Sequence, residues 1–374
     1  MAQQTINIGA AANDGTGDPA RTAFGKVNDN FTELYAQSGH GVIGSTVTTK
    51  QDDYAPAGWA ACRTLRWNGA GSTGFTGLDA TGLADGAERI ITNASTDYLL
   101  WLENENTASS AANRMMLPKG FPAFLMPGDS ITLQYDTTAA RWRVIDWPNQ
   151  GQAMGLVECY DTHTGSSTLF PGGGASGTGA SVSYSYGGFT DQTKNAIGCI
   201  SLTTGTSGTG TAFVGAYQYC GSWDTAAQLV VARMGTTTVP TGTDTYRVEI
   251  GLLVSGTSQP TGAFWEYRWG GSAPEVAQSV SAAGSVTRST TNSPSHVSNN
   301  MTWFVVFKNQ AGTAVDFIHS GDGVSFSLAQ RITTGLPAAS ETCGPGAQAV
   351  HQAGTSPRSA YIDIIGFRSD GARG

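Results

Sequence analysis

The chain is short of charge. Charged residues make up 13% of its 374 positions, about half the usual ~25% of a soluble domain. Lys and Arg number only 20, nowhere clustered, and net charge is −8. The basic footprint that nucleic acid or anionic lipid requires is missing. Long apolar runs are missing too: no stretch approaches the roughly 18 residues of a membrane span. The opening "MAQQTINIGAAAND" has neither a basic region nor an apolar core, so no signal peptide is expected, and synthesis and folding in a cytoplasm are. The five cysteines (Cys62, Cys159, Cys199, Cys220, Cys343) are odd in number and form no CxxC pair. That spacing suits neither zinc nor a disulfide framework, and buried free thiols are expected. GxSxG, HExxH, GxxxxGK[ST] and GxGxxG in a strand-to-helix context are all absent.

What is present is Gly (50 residues), 39% hydrophobic residues and a generous aromatic set, so the chain folds rather than staying disordered. Gly/Thr/Ser-rich turns between aromatic and β-branched runs predict a mainly β protein. Three parts are expected. Residues 1–54 hold one helix, about 19–38, and a Gly/Thr-rich linker. Residues 55–150 form a small antiparallel β module, with "ERIITNA" and "DYLLWLEN" joined by a short turn, followed by "DSITLQYD" and "RWRVIDW". In "DSITLQYD", Ile131, Leu133 and Tyr135 share one face. "PNQGQ" at 148–152 marks a boundary. Residues 151–374 carry about ten longer strands, from "GLVECY" to "AYIDIIGFR", with no helical pattern between them, and predict a two-sheet sandwich. "PGGGASGTGAS" and "TTGTSGTGT" read as surface loops within it. No internal repeat at a solenoid period is visible.

The helix is well marked. Asp18 suits the N-cap, Pro19 the first helical position and Gly39 the C-terminal stop. Phe24, Val27, Phe31 and Leu34, spaced three, four and three, make a narrow a/d stripe. Two heptads are too short to be stable alone, so copies of the helix or another protein must complete the stripe.

Candidate chemistry is sparse. Asp161 and His163 in "YDTHTG" share a strand face, but two ligands do not make a metal site. "IHSGDGVSF" departs from the sialidase Asp box, and its Asp-Gly reads as a tight hairpin turn. Glu249, Glu266 and Asp363 sit in strands, where a glycosidase would need two of them to converge. The expectation is no catalytic residues, no metal, no cofactor and no enzyme. In "GAFWEYRWGG", Trp265, Tyr267 and Trp269 share one face at period two. They suit either the sandwich core or a stacking platform for sugar rings, and are the receptor-binding candidates.

Residues 7–35, "NIGAAANDGTGDPARTAFGKVNDNFTELY", resemble an N-terminal segment shared by many bacteriophage virion proteins, fibres and spikes especially. The shared pattern is N-I-G, N-D-G-T-G-D-P, R-x-A-F, K-x-N-x-N-F-x-E-L-Y. The resemblance implies a virion-anchoring element in which Asp18, Pro19, Arg21, Phe24, Asn28, Asn30, Phe31 and Tyr35 serve docking; Val27 and Leu34 complete the stripe. Residues 85–144 resemble a β module of phage tail fibres, marked by "AANR", "PGDS" and "YD…RWR". The last part is similar to concanavalin-type or jelly-roll sandwiches. Together these imply a short homotrimeric tail fibre or spike. It would sit in the virion on tail, collar or capsid proteins and bind a host-surface glycan or protein through the sandwich. The alternative is a head or collar fibre or capsid decoration without receptor binding. The particle, with no nucleic acid partner and no membrane insertion, is its expected location.

Overall fold

Aliphatic side chains set the first part of the body. Ile43, Leu65 and Ile91 are partners across parallel strands, and Ile131 extends the row from an antiparallel strand. The computed structural model describes residues 4–11, 14–37, 41–147, 174–176, 180–185, 199–206, 210–215, 222–236, 238–254, 261–282, 285–295 and 301–369. The "GLVECY" strand, the boundary 148–152, Gly39, Asp161, His163, Cys159 and Cys220, and parts of both Gly-rich loops, lie outside them.

Helix α1 runs Ala20–Gln37. A six-stranded sheet follows in the order β1 (Gly41–Ser45), β2 (Cys62–Trp67), β4 (Glu88–Asn93), β8 (Ser130–Asp136), β9 (Arg141–Asp146) and β6 (Met115–Met116). Strands β3 (Thr73–Phe75), β5 (Leu100–Leu102) and β7 (Ala123–Leu125) form a second, three-stranded sheet. Pairings β1–β2, β2–β4, β3–β5 and β6–β9 are parallel, as are the bridges Gln51–Phe75 and Tyr54–Leu78. Residues 41–104 therefore wind as stacked coils, closed by antiparallel β7 and β8.

Three expectations are corrected here. The module is not a purely antiparallel sheet; "ERIITNA" and "DYLLWLEN" belong to different sheets. Asn93 turns the corner between them: its Nδ2 donates to the carbonyls of Tyr98 (2.9 Å) and Leu125 (2.8 Å), and its Oδ1 accepts from Ser95 N. Residues 41–54 are no linker but the first coil, with Tyr54 buried and stacked on Phe75 at 4.6 Å. A coil repeat exists without a sequence repeat, because each rung needs only apolar bulk. Buried indoles finish the core: Trp59, Trp67 and Trp142 each donate Nε1–H to a backbone carbonyl.

Among the described residues the sandwich has two seven-stranded sheets. The front sheet runs β10 (Gly174–Ser176), β13 (Thr211–Gly215), β22 (Gly344–Ala353), β15 (Thr245–Val254), β16 (Thr261–Trp269), β17 (Pro274–Ala282) and β18 (Ser285–Ser289). The back sheet runs β11 (Ala180–Ser185), β12 (Cys199–Thr204), β23 (Ser359–Ser369), β14 (Gln228–Thr236), β19 (Thr302–Lys308), β20 (Val315–Ser320) and β21 (Ser327–Ile332). Ile250, Trp265, Tyr267, Phe304, Phe317 and Ile362 are among the side chains buried between them. The Asp322–Gly323 turn joins β20 to β21 through a longer loop than a two-residue hairpin. The Asp322 carboxylate holds it by accepting from Ser320 Oγ and from the backbone N–H of Val324 and Ser325.

The outer face of the back sheet packs on the coils. Leu99, Trp101, Phe124 and Met126 from the coils share one apolar cluster with Leu229, Val231, Trp303, Val305, Phe307 and Phe326. Charged groups ring it. Arg368 donates both terminal nitrogens to Asp129. Arg331 pairs with Asp97 (2.5 Å) and Asp316 (3.0 Å) and lies over Tyr98. Buried Glu103 accepts from Phe326 N (2.9 Å) and pairs with Lys50. "PGDS" thus supplies, through Asp129, part of the lock between the two units.

Candidate functional site

Two places gather the candidate side chains. The first is the N-terminal segment, which doubles back along α1. The Asn30 side-chain amide bonds both backbone groups of Gln4, each at 2.9 Å. Asp18 accepts from Asn7 N (2.9 Å) and Lys26 Nζ (2.7 Å), and Lys26 also donates to the Thr5 carbonyl. Asp14 accepts from the backbone of Thr16, Ala11 and Ala10, which holds its carboxyl down at about 2. The Lys26 hydrogen bond, then the one from Asn7, lowers Asp18. Asp18 therefore clamps the segment and does not cap the helix as expected. Helical bonding starts at Pro19, whose carbonyl accepts from Ala23 N. The expected docking residues divide accordingly. Asp18 and Asn30 are engaged internally and Val27 is half-buried, whereas Pro19, Arg21, Phe24, Asn28 and Phe31 are exposed, Phe24 at 69% and Phe31 at 53%. Leu34 and Tyr35 lie in the helix, but their side chains fall outside the described residues.

The second place is the outer face of the front sheet. Period two turns Val248, Ile250, Trp265 and Tyr267 into the core and the alternate residues outward. Across five strands one outward row reads Phe213, Gln348, Glu249, Glu266 and Ala277 in register. The next row reads Gly215, Gly346, Gly251, Phe264, Ser279 and Arg288. Glu249 and Glu266 are thus direct neighbours, 1% and 0% exposed. Arg288 holds Glu266 through Nε to Oε2 (2.5 Å) and Nη2 to Oε1 (3.1 Å), and Ser279 Oγ adds a third bond at 3.0 Å. Glu249 accepts from Gln348 Nε2, and Arg247 Nε lies 2.8 Å from its Oε1, though its N–H is not directed at that oxygen. Burial pushes Glu249 up to about 7; the neighbouring Glu266 charge adds to this, while Arg247 and Gln348 oppose it.

The aromatic candidates do not form a platform. Trp265 and Tyr267 are 0% and 1% exposed. Trp265 donates to the Val305 carbonyl (3.1 Å) and packs on Phe304 and Phe317, so both rings are core; only Trp269, at the strand end, is half-exposed. Of the carboxylates named from sequence, Glu249 and Glu266 meet, and the Asp363 side chain lies outside the described residues. Gln348, Ser279 and Arg288 were missed, because β17, β18 and β22 are rich in Ser, Gln and small residues and carry no apolar alternation. The described residues contain no group of three or more potential metal ligands. No helix among them is long and apolar enough to cross a membrane.

No protein-family model matches the chain, and no curated protein matches it. Solved structures similar to it include peanut lectin, at 11% identity over 53% of this chain and 91% of the lectin, TM-score 0.36. A carbohydrate esterase from the Shiga toxin-encoding bacteriophage phi24B matches at 12% identity over 52% of this chain and 89% of the esterase, TM-score 0.35. An alginate lyase of polysaccharide lyase family 7 matches at 11% identity over 46% and 79%, TM-score 0.32. Similarity this low assigns none of their ligands or reactions to this chain. It does correct the expectation that the chain is no enzyme: an esterase and a lyase stand beside a lectin among the similar structures, so enzyme activity is not excluded.

Proposed function

We propose that this chain is a bacteriophage virion protein, a short homotrimeric tail fibre or spike. Its N-terminal segment joins it to its own copies and seats it on the particle. Its sandwich, of concanavalin or jelly-roll type, meets the host surface. The observation that carries this reading is the N-terminal clasp. Its polar residues are used internally to stiffen an 18-residue helix, while Phe24 and Phe31 on one stripe are largely solvent-exposed. Apolar rings held outward on a preorganised helix gain from burial against a partner, about 25 cal/mol per Å². The test is the solution mass of the full chain and of the Phe24→Ser/Phe31→Ser double variant, by light scattering against a monomer of 38.7 kDa. A trimer that the double variant dissociates supports the seam. A trimer in both assigns assembly to the β units and leaves the stripe for the particle. A monomer in both overturns the homotrimer.

A further inference from the structure

Among the described residues, exposed large apolar side chains gather in the first part of the chain. Ile8, Phe24 and Phe31 lie in the N-terminal segment and Val42, Met116 and Ile145 on the six-stranded coil sheet, whereas the sandwich has Val239 alone. The three on the sheet share its outer face. Leu65, Ile91, Leu133 and Trp142 point into the coils, so the alternate residues point out. One outward row crosses five strands in register: Val42, Thr64, Ile90, Thr132 and Asp146, with Ile145 beside Asp146 where the pairing shifts. The next row reads Gly44, Arg66, Thr92 and Ser130. The two flanks of this face are complementary. Val42 and Arg66 stand on the β1–β2 flank, Ile145 and Asp146 on the β9 flank, and all four are exposed. Arg63 pairs with Glu88 and Arg143 with Asp136, but Arg66 and Asp146 pair with nothing among the described residues. Three strand spacings separate β2 from β9, roughly 14 Å, too far for a direct ion pair within one chain.

We propose that this face is a contact between copies of this chain. Three coil sheets close a ring in which the β1–β2 flank of each copy meets the β9 flank of the next. Arg66 pairs with Asp146 of the next copy, and Val42 packs on Ile145 of the next copy. The inference rests on the homotrimer proposed above, but not on the helix seam or on the particle. Charge complementarity selects a second copy as the occupant, because every copy brings one unpaired cation and one unpaired anion, on opposite flanks. Unlike patches that meet head to tail repeat around an axis and close when the rotation allows it. The strip between the flanks tolerates burial: Thr92 and Ser130 already bond each other at 2.9 Å, and Arg63 and Arg143 are already paired, so no ion is stranded. β1 opens at Gly41, four residues after α1 ends at Gln37. The ring therefore lies within about 14 Å of chain from the helices, and one assembly buries both the exposed stripe and this face.

The test is the solution mass of the full chain over a dilution series, by light scattering, for the parent, Arg66→Glu, Asp146→Lys and the variant carrying both. The parent is expected to be a trimer. Each single variant raises the concentration of half-dissociation at least about tenfold, because every ring loses three ion pairs and brings like charges together. The double variant restores the parent value, and the distance within one chain leaves only a contact between copies to explain that rescue. Both side chains are exposed, and circular dichroism checks that each variant keeps the parent fold. Should the parent not dissociate on dilution, a short bis-maleimide reads the contact: Arg66→Cys/Asp146→Cys is joined into covalent trimers above the parent's background, and neither single cysteine variant is. A parent that is a monomer or a dimer overturns the ring together with the homotrimer. A parent trimer that neither reversal weakens, that the double variant does not restore, or whose paired cysteines stay unlinked overturns this contact alone. The homotrimer then stands on the helix seam or the sandwich.

Discussion

Replacing Glu249 by Gln separates a carboxyl that the fold keeps protonated from one that it holds as an ion pair. The group is fully buried between Gln348, Arg247 and Glu266, and its pKa rises from the ordinary 4.5 to about 7. A raised carboxyl binds its proton more tightly in the folded chain than in the unfolded one. Below about pH 4.5 both states are protonated and nothing is lost. As pH climbs towards 7 the unfolded chain ionises first, and stability drains away until the folded group ionises too. At 1.36 kcal/mol per pH unit the full penalty is on the order of 3 kcal/mol. Gln348 retains an acceptor in the amide, which carries no such penalty. Glu249→Gln therefore melts above the parent at about pH 8, and the gain shrinks towards zero at about pH 5. Thermal unfolding followed by circular dichroism at both pH values measures this. A variant that melts below the parent by the same margin at both would refute the reasoning, because it would show that the ionised carboxylate is a net stabiliser through Arg247.

Other substitutions address other layers. Arg368→Met strands the buried Asp129 charge between coils and sandwich and costs about 3–5 kcal/mol; urea unfolding reads it, and a loss below about 1 kcal/mol would mean that the apolar cluster alone fastens the units. Trp265→Ala opens a cavity against Phe304 and Phe317 and costs about 3–5 kcal/mol; a near-neutral result would return that ring to the surface. Gly251→Ala forces a Cβ onto the Ala263 carbonyl and lowers the melting temperature more than an alanine at exposed Gly25 in α1.

Where burial has one side, the sequence carries the structure in view. In "DSITLQYD", Ile131, Leu133 and Tyr135 alternate against Thr132, Gln134 and Asp136, and the strand runs Ser130–Asp136 with that buried face. Helix α1 is equally legible, from its stripe and its Pro. The coils are not, because a parallel rung such as Ile43, Leu65 and Ile91 needs matching bulk and no matching sequence. The front sheet is hidden for the opposite reason. Both of its faces are buried, so β22 ("GPGAQAVHQA") shows no alternation of polarity. Glu249 and Glu266 were named from their types, but their meeting depends on a register between strands that no spacing along the chain encodes.

In the N-terminal motif most of the polar residues are engaged within the segment itself, so the docking proposed for it would fall to the few that remain outward. Asp14 ties the loop of the segment, and Asp18, Lys26 and Asn30 fasten residues 4–7 to α1. Each is a small gain, roughly 1 kcal/mol or less for exposed hydrogen bonds, and several together offset the marginal stability of a short isolated helix. What remains outward is Arg21, Phe24, Asn28 and Phe31, an apolar pair flanked by polar groups. Loosening the clasp and removing the rings are therefore different injuries. On the proposed docking role, the first would lower the population of a competent segment, and the second would remove the contact itself, which no stiffening of the helix restores.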